Sequence, residues 1–321
     1  MRMIMSLFLF LVVFALLGAS GCANLGAEKR APKLGQTITV DGVDMHVLTA
    51  GEKASGKPPV LLIHGASVNL RDMKIALGDA LGEDRFVVMV DRPGRGYSER
   101  PPNGYELQRQ AALIKAAADA VGAERPIVVG QSFGGAVALN YALQFEDEMS
   151  GLVLLAPVSH EWPGGVAWYN SVSETPVIGF LFRRMVIPVY GAMAGRESVN
   201  ESFAPDEPPQ NYYDRAGVPL LFRAADFKAN AADIKHLKEQ IRLQQEEYAK
   251  LQIPVKIMAG TDDKTVLPRI HAKALEEQID QATLKMLPDT GHALHHAETA
   301  AILSVIDNLT AEIERGGALA Q

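Results

Sequence analysis

Ile127-Val128-Val129-Gly130-Gln131-Ser132-Phe133-Gly134 is the stretch on which the reading of this chain turns. Three β-branched residues make an apolar strand, and a helix-like segment, Ala136 to Gln144, follows the second glycine. Between them stands G-x-S-x-G, whose glycines permit a tight, strained turn that lifts a serine hydroxyl above the end of a strand. Strand, turn and helix in that order imply a parallel sheet with Ser132 at one edge.

Outward from this stretch, short apolar runs alternate with helical patterns, as expected of a parallel sheet covered by helices. The candidate strands are Ile38 to Val40, Met45 to Thr49, Val60 to Ile63, Phe86 to Val90, Ile127 to Val129, Leu152 to Leu155, Val255 to Met258 and Leu284 to Leu287. Several are continuous apolar runs, the mark of strands buried on both faces. The alternation stops after Pro157 and resumes near Pro254. In the gap, Trp162 to Gly195 is rich in Gly, Pro, aromatic and aliphatic residues, Glu201 to Tyr213 carries three prolines and reads as loop, and Asp233 to Lys250 places Ile234, Leu237, Ile241 and Tyr248 on one helical face. The expected architecture is a mostly parallel eight-stranded α/β sheet flanked by helices, with a core of residues 35–157 and 251–315 and an inserted helical cap of residues 158–250.

A serine hydroxyl is a weak nucleophile and needs a base oriented in turn by a carboxylate. The strand Val255 to Met258 leads to Gly260-Thr261-Asp262-Asp263, and Leu284 to Leu287 leads to Asp289-Thr290-Gly291-His292. The order Ser, Asp, His is that of the α/β hydrolases, and each candidate follows a strand. With His64-Gly65 after a strand and Asp91, Pro93, Gly94, Gly96 and Ser98 in the next turn, the chain resembles a capped α/β hydrolase from about Thr37 to Leu309. The resemblance implies Asp263, three residues beyond the strand-ending Gly260, as the acid in preference to Asp262. It also implies Ala66 as one backbone donor of the oxyanion hole. Phe133, the residue after the nucleophile, is the other donor, and Ser67 is an auxiliary candidate.

Other histidines have blander readings. His64 suits a loop-organising role and His160 the wall of the cap entrance. His292 and His296 are one helical turn apart, but no H-E-x-x-H motif accompanies them and a serine mechanism needs no metal. The expectation is therefore no metal and no cofactor. Relatives that open epoxides or displace halides carry aspartate at the elbow, so Ser132 points to an acyl-enzyme and to carboxylic esters as substrates. Carbon–carbon bond hydrolysis, aminopeptidase or perhydrolase activity on the same fold stays open, as does a non-enzymatic binding module. Val177 to Met193, apolar apart from Arg183, Arg184 and small residues, suits a pocket lining, a face leaning on a bilayer, or ordinary packing of the cap.

The beginning of the chain carries a different message. Arg2 is the only charge before Glu28, Met3 to Leu17 is apolar but for Ser6, and Gly18-Ala19-Ser20-Gly21 precede Cys22, the single cysteine. A positive end, an apolar run and small residues make a secretory signal, and the small residues before Cys22 resemble a bacterial lipoprotein signal, although Ala19 stands where leucine is favoured. The resemblance implies a signal peptide of residues 1–21, lipidation of Cys22, a tether of residues 22–34 and a place in the cell envelope at the outer membrane or periplasmic face. An uncleaved apolar anchor or ordinary secretion are the alternatives. One cysteine excludes an internal disulfide or a Cys-rich metal site. The net charge of −7 over 321 residues gives no electrostatic reason for a nucleic-acid partner.

Overall fold

The structure, a computed structural model, describes residues 24–319 together with Gly18 and Gly21; Cys22 and the apolar run before it lie outside the described residues. Eight strands form one sheet: β1 (Gln36–Val40), β2 (Val43–Ala50), β3 (Val60–Ile63), β4 (Val87–Val90), β5 (Ile127–Gln131), β6 (Gly151–Leu155), β7 (Val255–Gly260) and β8 (Ala282–Leu287). Their spatial order is β1-β2-β4-β3-β5-β6-β7-β8. β1 pairs antiparallel with β2, and β2 with β4; every other pairing is parallel.

The apolar runs are continuous because successive residues serve opposite faces. In β3, Leu61 and Ile63 enter one core while Val60 and Leu62 enter the other; in β6, Leu152 and Leu154 separate from Val153 and Leu155 in the same way. The first core is closed by the helices Leu107–Ala120 and Phe133–Phe145, the second by Leu70, Met73 and Leu77 with Ile302, Ile306 and Leu309 of the helix Thr299–Leu319. Each fully buried side chain of this kind stabilises the fold by about 1.5–3 kcal/mol.

Between β6 and β7 the chain is helical: Trp168–Glu174, Val177–Leu181, Ile187–Phe203, Tyr212–Arg215 and Ala224–Gln244. The stretch expected as loop from Glu201 to Tyr213 is shorter, because helix continues through Phe203 and starts again at Tyr212, both buried against Ala293 and Val218. On the helix Ala224–Gln244, Leu237 and Ile241 face the core, whereas Ile234 is half-buried and faces a cavity.

The stretch read as a tether is seated on the body over residues 24–34. Residues 24–30 are helical, Ala27 and Ala31 are buried against Leu220, and Glu28 pairs with Arg223 at 3.0 Å. The Tyr97 hydroxyl donates to the Ala31 carbonyl at 2.7 Å, and Arg71 donates to the Pro32 carbonyl.

Candidate active site

Ser132 stands between β5 and the helix Phe133–Phe145 with φ 53° and ψ −116°, a conformation that L-residues avoid unless their surroundings impose it. The imposing surroundings are visible at the glycines. A Cβ on Gly130 would lie 2.4 Å from the Gly134 carbonyl oxygen, and one on Gly134 would lie 2.3 Å from that of Ile63. Only hydrogen at these two positions lets the turn close against β3.

His292 reaches Ser132 from the loop after β8. Its Nε2 lies 2.9 Å from Ser132 Oγ and its Nδ1 lies 2.7 Å from Asp263 Oδ2. Asp263, in the loop after β7, is buried, and its other carboxylate oxygen accepts from the Thr265 and Val266 amides at 2.8 and 2.9 Å. Those two donors fix the carboxylate, which fixes the ring. Asp262, by contrast, is exposed.

The loop after β3 lies against Ser132: a Cβ on Gly65 would be 3.3 Å from Ser132 Cβ. Ala66 lines the same cavity as Ser132, and Phe133 opens its helix, where backbone N–H groups lack intrahelical partners. The Ser67 amide donates to Asn230 Oδ1 at 2.7 Å, and Asn230 Nδ2 donates to Ser67 Oγ at 3.1 Å, so Ser67 is tied to the inserted helix Ala224–Gln244.

His64 organises this loop. It is buried, accepts from the Arg92 amide at 3.0 Å through Nε2, and has Nδ1 2.8 Å from the Gly65 carbonyl. Burial, and then the Arg92 charge, pull its pKa down to about 3, so the ring is neutral. Arg92 itself escaped the sequence reading. Fully buried, it donates to the carbonyls of His64 and Gly65 at 3.1 Å each, to Gln110 at 2.9 Å and to Asp233 at 2.8 Å, and its guanidinium sits 4.1 Å from the centre of the Phe133 ring. The only hint in sequence is an arginine next to Asp91 in a turn, with its partner 141 residues away.

His160 lies apart from Ser132, its Nδ1 3.0 Å from Ser159 Oγ and its Nε2 3.0 Å from Gln278 Oε1. His296 does not join His292. It turns with His295 to Asp72, whose oxygens lie 2.7 and 2.9 Å from the two Nε2 atoms, and Asp72 also accepts from the Tyr212 hydroxyl at 2.6 Å. The ligand atoms of Asp72, His295 and His296 lie within 4.8 Å of one another, a donor set that could suit a divalent transition metal. The geometry is that of hydrogen bonds instead. Each Nε2 lies at hydrogen-bond distance from a carboxylate oxygen, and buried His295 Nδ1 lacks the outer partner that a ligating histidine normally has. Burial would raise the Asp72 pKa, but the charge and hydrogen bonds of His295 and His296 hold it well below the usual carboxylate range. Burial lowers the pKa of His295 and raises that of Tyr212 well above the ordinary tyrosine value.

Ser132, His292 and Ala66 share one cavity of about 540 Å³ with Asp72, Tyr212 and His295 of this second cluster. Its remaining walls come mostly from the insertion, with Tyr169, Phe182, Ile187, Phe222 and Phe227 prominent. An apolar enclosure with a few convergent polar groups at one wall is the usual form of a small-molecule site.

A model of the alpha/beta hydrolase fold family matches residues 58–299, and the chain belongs to that family; it is an alpha/beta-hydrolase enzyme. Among curated relatives it is similar to a 2-hydroxymuconate semialdehyde hydrolase of Pseudomonas putida, at 26% identity over 90% of this chain and 99% of the relative. It is also similar to Lipase 3 of a Moraxella species, at 26% identity over 80% of this chain and 78% of the relative. Among solved structures, an alpha/beta hydrolase fold protein from Burkholderia ambifaria superposes with a TM-score of 0.69 at 24% identity, covering 85% of this chain and 97% of that one.

Proposed function

We propose that this enzyme hydrolyses carboxylic esters through an acyl-enzyme intermediate, with Ser132 as nucleophile, His292 as base and then acid, and Asp263 as the group that orients the ring. The observation that carries the reading is a single imidazole bridging Ser132 Oγ at 2.9 Å and a buried carboxylate at 2.7 Å, on the wall of an apolar cavity. His292 Nε2 takes the hydroxyl proton as Oγ attacks the carbonyl carbon. The resulting oxyanion is met by the amides of Ala66 and Phe133. Collapse expels the alcohol, which takes the proton from His292; water then attacks the acyl-Ser132, again deprotonated by His292, and releases the acid.

The test is activity-based labelling. A fluorophosphonate probe is expected to label the unaltered enzyme, and Ser132→Ala to lose both labelling and at least about 10⁴-fold of aryl-ester hydrolysis. Unchanged turnover in folded Ser132→Ala overturns the reading.

Carbon–carbon bond hydrolysis is the second reading. It is favoured by the polar wall of Asp72, Tyr212 and His295 in the same cavity and by the Pseudomonas relative, whose named substrate contains no ester. A panel pairing aryl esters with vinylogous diketones separates the two by kcat/KM.

The sequence also supports attachment to the cell envelope, through a lipid on Cys22 or through the apolar run Met3 to Leu17. Fatty-acid incorporation that disappears in Cys22→Ala selects the former.

A further inference from the structure

Eleven large apolar side chains are conspicuously exposed among the described residues, and nine of them fall between Trp168 and Met193. Val177, Ile178 and Met193 are 71%, 67% and 83% exposed, more than a water-facing helix surface calls for. The segment from 168 to 196 holds three arginines and one carboxylate, Glu174, which is tied to Lys235 at 2.6 Å; the exposed Glu197 and Glu201 follow only at the far end of the helix Ile187–Phe203. In a chain of net charge −7, the exposed apolar stretch from Val177 to Met193 thus carries no carboxylate.

The same face is the rim of the catalytic cavity. Trp168, Tyr169, Val186 and Tyr190 line the cavity and are also exposed, so the route inward from this side is largely apolar. No single helix among the described residues is long and apolar enough to cross a membrane. Trp168–Glu174 and Ile178–Phe203 together have that composition but are bent by 108°, which suits lying on a bilayer and not crossing it.

The beginning of the chain says what covers this face. Residues 24–30 do not leave the body freely: Ala27 and Ala31 are buried on Leu220, and Leu25 is 69% exposed. Two residues beyond Leu220, the Phe222 ring packs on Gly191, where a Cβ would be only 2.3 Å away, and lies 6.3 Å from the ring of Tyr190. The seated segment is therefore one short turn from the helix that carries Val189 and Met193. Cys22 precedes Asn24 by two residues, a span of at most about 7 Å. A bilayer holding a lipid on Cys22 would therefore be held close to this side of the molecule.

We propose that the face built by Trp168, Val177, Ile178, Val189 and Met193 rests on a phospholipid bilayer and that substrate reaches Ser132 from the lipid phase, as an ester with a long apolar arm. The second half rests on the ester-hydrolase reading; the first does not. Trp168 and Tyr190 suit the interfacial zone, where aromatic rings settle, and Arg196 and Arg184 suit the headgroup layer.

Two measurements on the full chain reconstituted into phosphatidylcholine vesicles containing some phosphatidylglycerol test this. Trp162→Phe leaves Trp168 as the only tryptophan. Replacing the phosphatidylcholine by its dibromo-acyl form is expected to quench Trp168 emission at least two-fold; unquenched emission overturns the docking face. The combined Val177→Ser, Ile178→Ser and Met193→Ser variant is expected to lose about ten-fold in hydrolysis of a long-chain aryl ester dissolved in the bilayer, with a short water-soluble aryl ester cleaved as before. Equal loss on both esters, or on neither, overturns entry from lipid, and a dimer that disappears in this variant assigns the face to a second copy instead. Quenching without Ser132-dependent hydrolysis of either ester leaves the docking face standing and removes the hydrolase reading.

Discussion

Two carboxylate–imidazole clusters meet one cavity, one through His292 and the other through Asp72 and His295, and they are built to opposite ends. Asp263 has both oxygens occupied, one by backbone amides and one by His292, which leaves the far nitrogen of that ring aimed at a hydroxyl. Asp72 accepts from two rings and a phenol, and no nitrogen of His295 or His296 reaches a nucleophile. Exposure differs too: the His292 side chain is 16% exposed, that of His295 5%. Pairing with an acid does not make a histidine reactive. What does so is a second nitrogen left facing a group that can give up a proton.

The sharpest way to break the comparison is to remove one negative charge from each cluster. Asp263→Asn is expected to lower kcat for ester hydrolysis by about 10⁴-fold with little change in KM, because the amide favours the wrong ring tautomer. Asp72→Asn is expected to lower kcat/KM less than about ten-fold yet cost about 2 kcal/mol of stability, read as a fall in Tm, since two rings and a phenol lose the charge and one of the two oxygens they share, and an NH2 donor takes its place. If Asp72→Asn abolishes turnover in folded protein, the second cluster belongs to the chemistry and the distinction fails.

Acid sharpens it on a smaller scale. His64, with a pKa pulled to about 3, and His271, pulled to about 4, are neutral in the folded chain but bind protons when it unfolds. The unfolded state therefore holds more protons below pH 6.5, and stability falls as pH drops, by about 1.4 kcal/mol per unit for each such ring until its folded pKa is reached. Asp72, depressed as well, adds to the loss only below its unfolded value near 3.8. Thermal unfolding followed from pH 7.5 to 5 is expected to show a falling Tm, and His64→Asn a shallower fall; an unchanged Tm contradicts the neutral assignments.

What the sequence shows follows the range of the forces involved. All eight strands are legible because burial on two faces writes itself into consecutive residues, as in Val60 to Ile63. The elbow is legible because two glycines and a serine must occupy five adjacent positions. Asp263 is set apart from its neighbour only by the family resemblance, through its place three residues after Gly260. Arg92 is not legible, since its role is set by Asp233 across 141 positions, nor is Asp72, whose histidines lie more than 220 positions away. Helix in the stretch read as loop is decided by Phe203 and Tyr212 packing on each other at 4.8 Å, which no local pattern announces.

The links from the helix Ala224–Gln244 to the loop after β3 carry a consequence for anyone who would rebuild this enzyme. Asn230 holds Ser67, and Asp233 holds the arginine that grips the carbonyls of His64 and Gly65. The insertion is thus not an interchangeable lid. A transplanted cap would bring its own cavity but leave the loop after β3 without two of its fasteners, unless the graft kept asparagine and aspartate at those heights on the incoming helix.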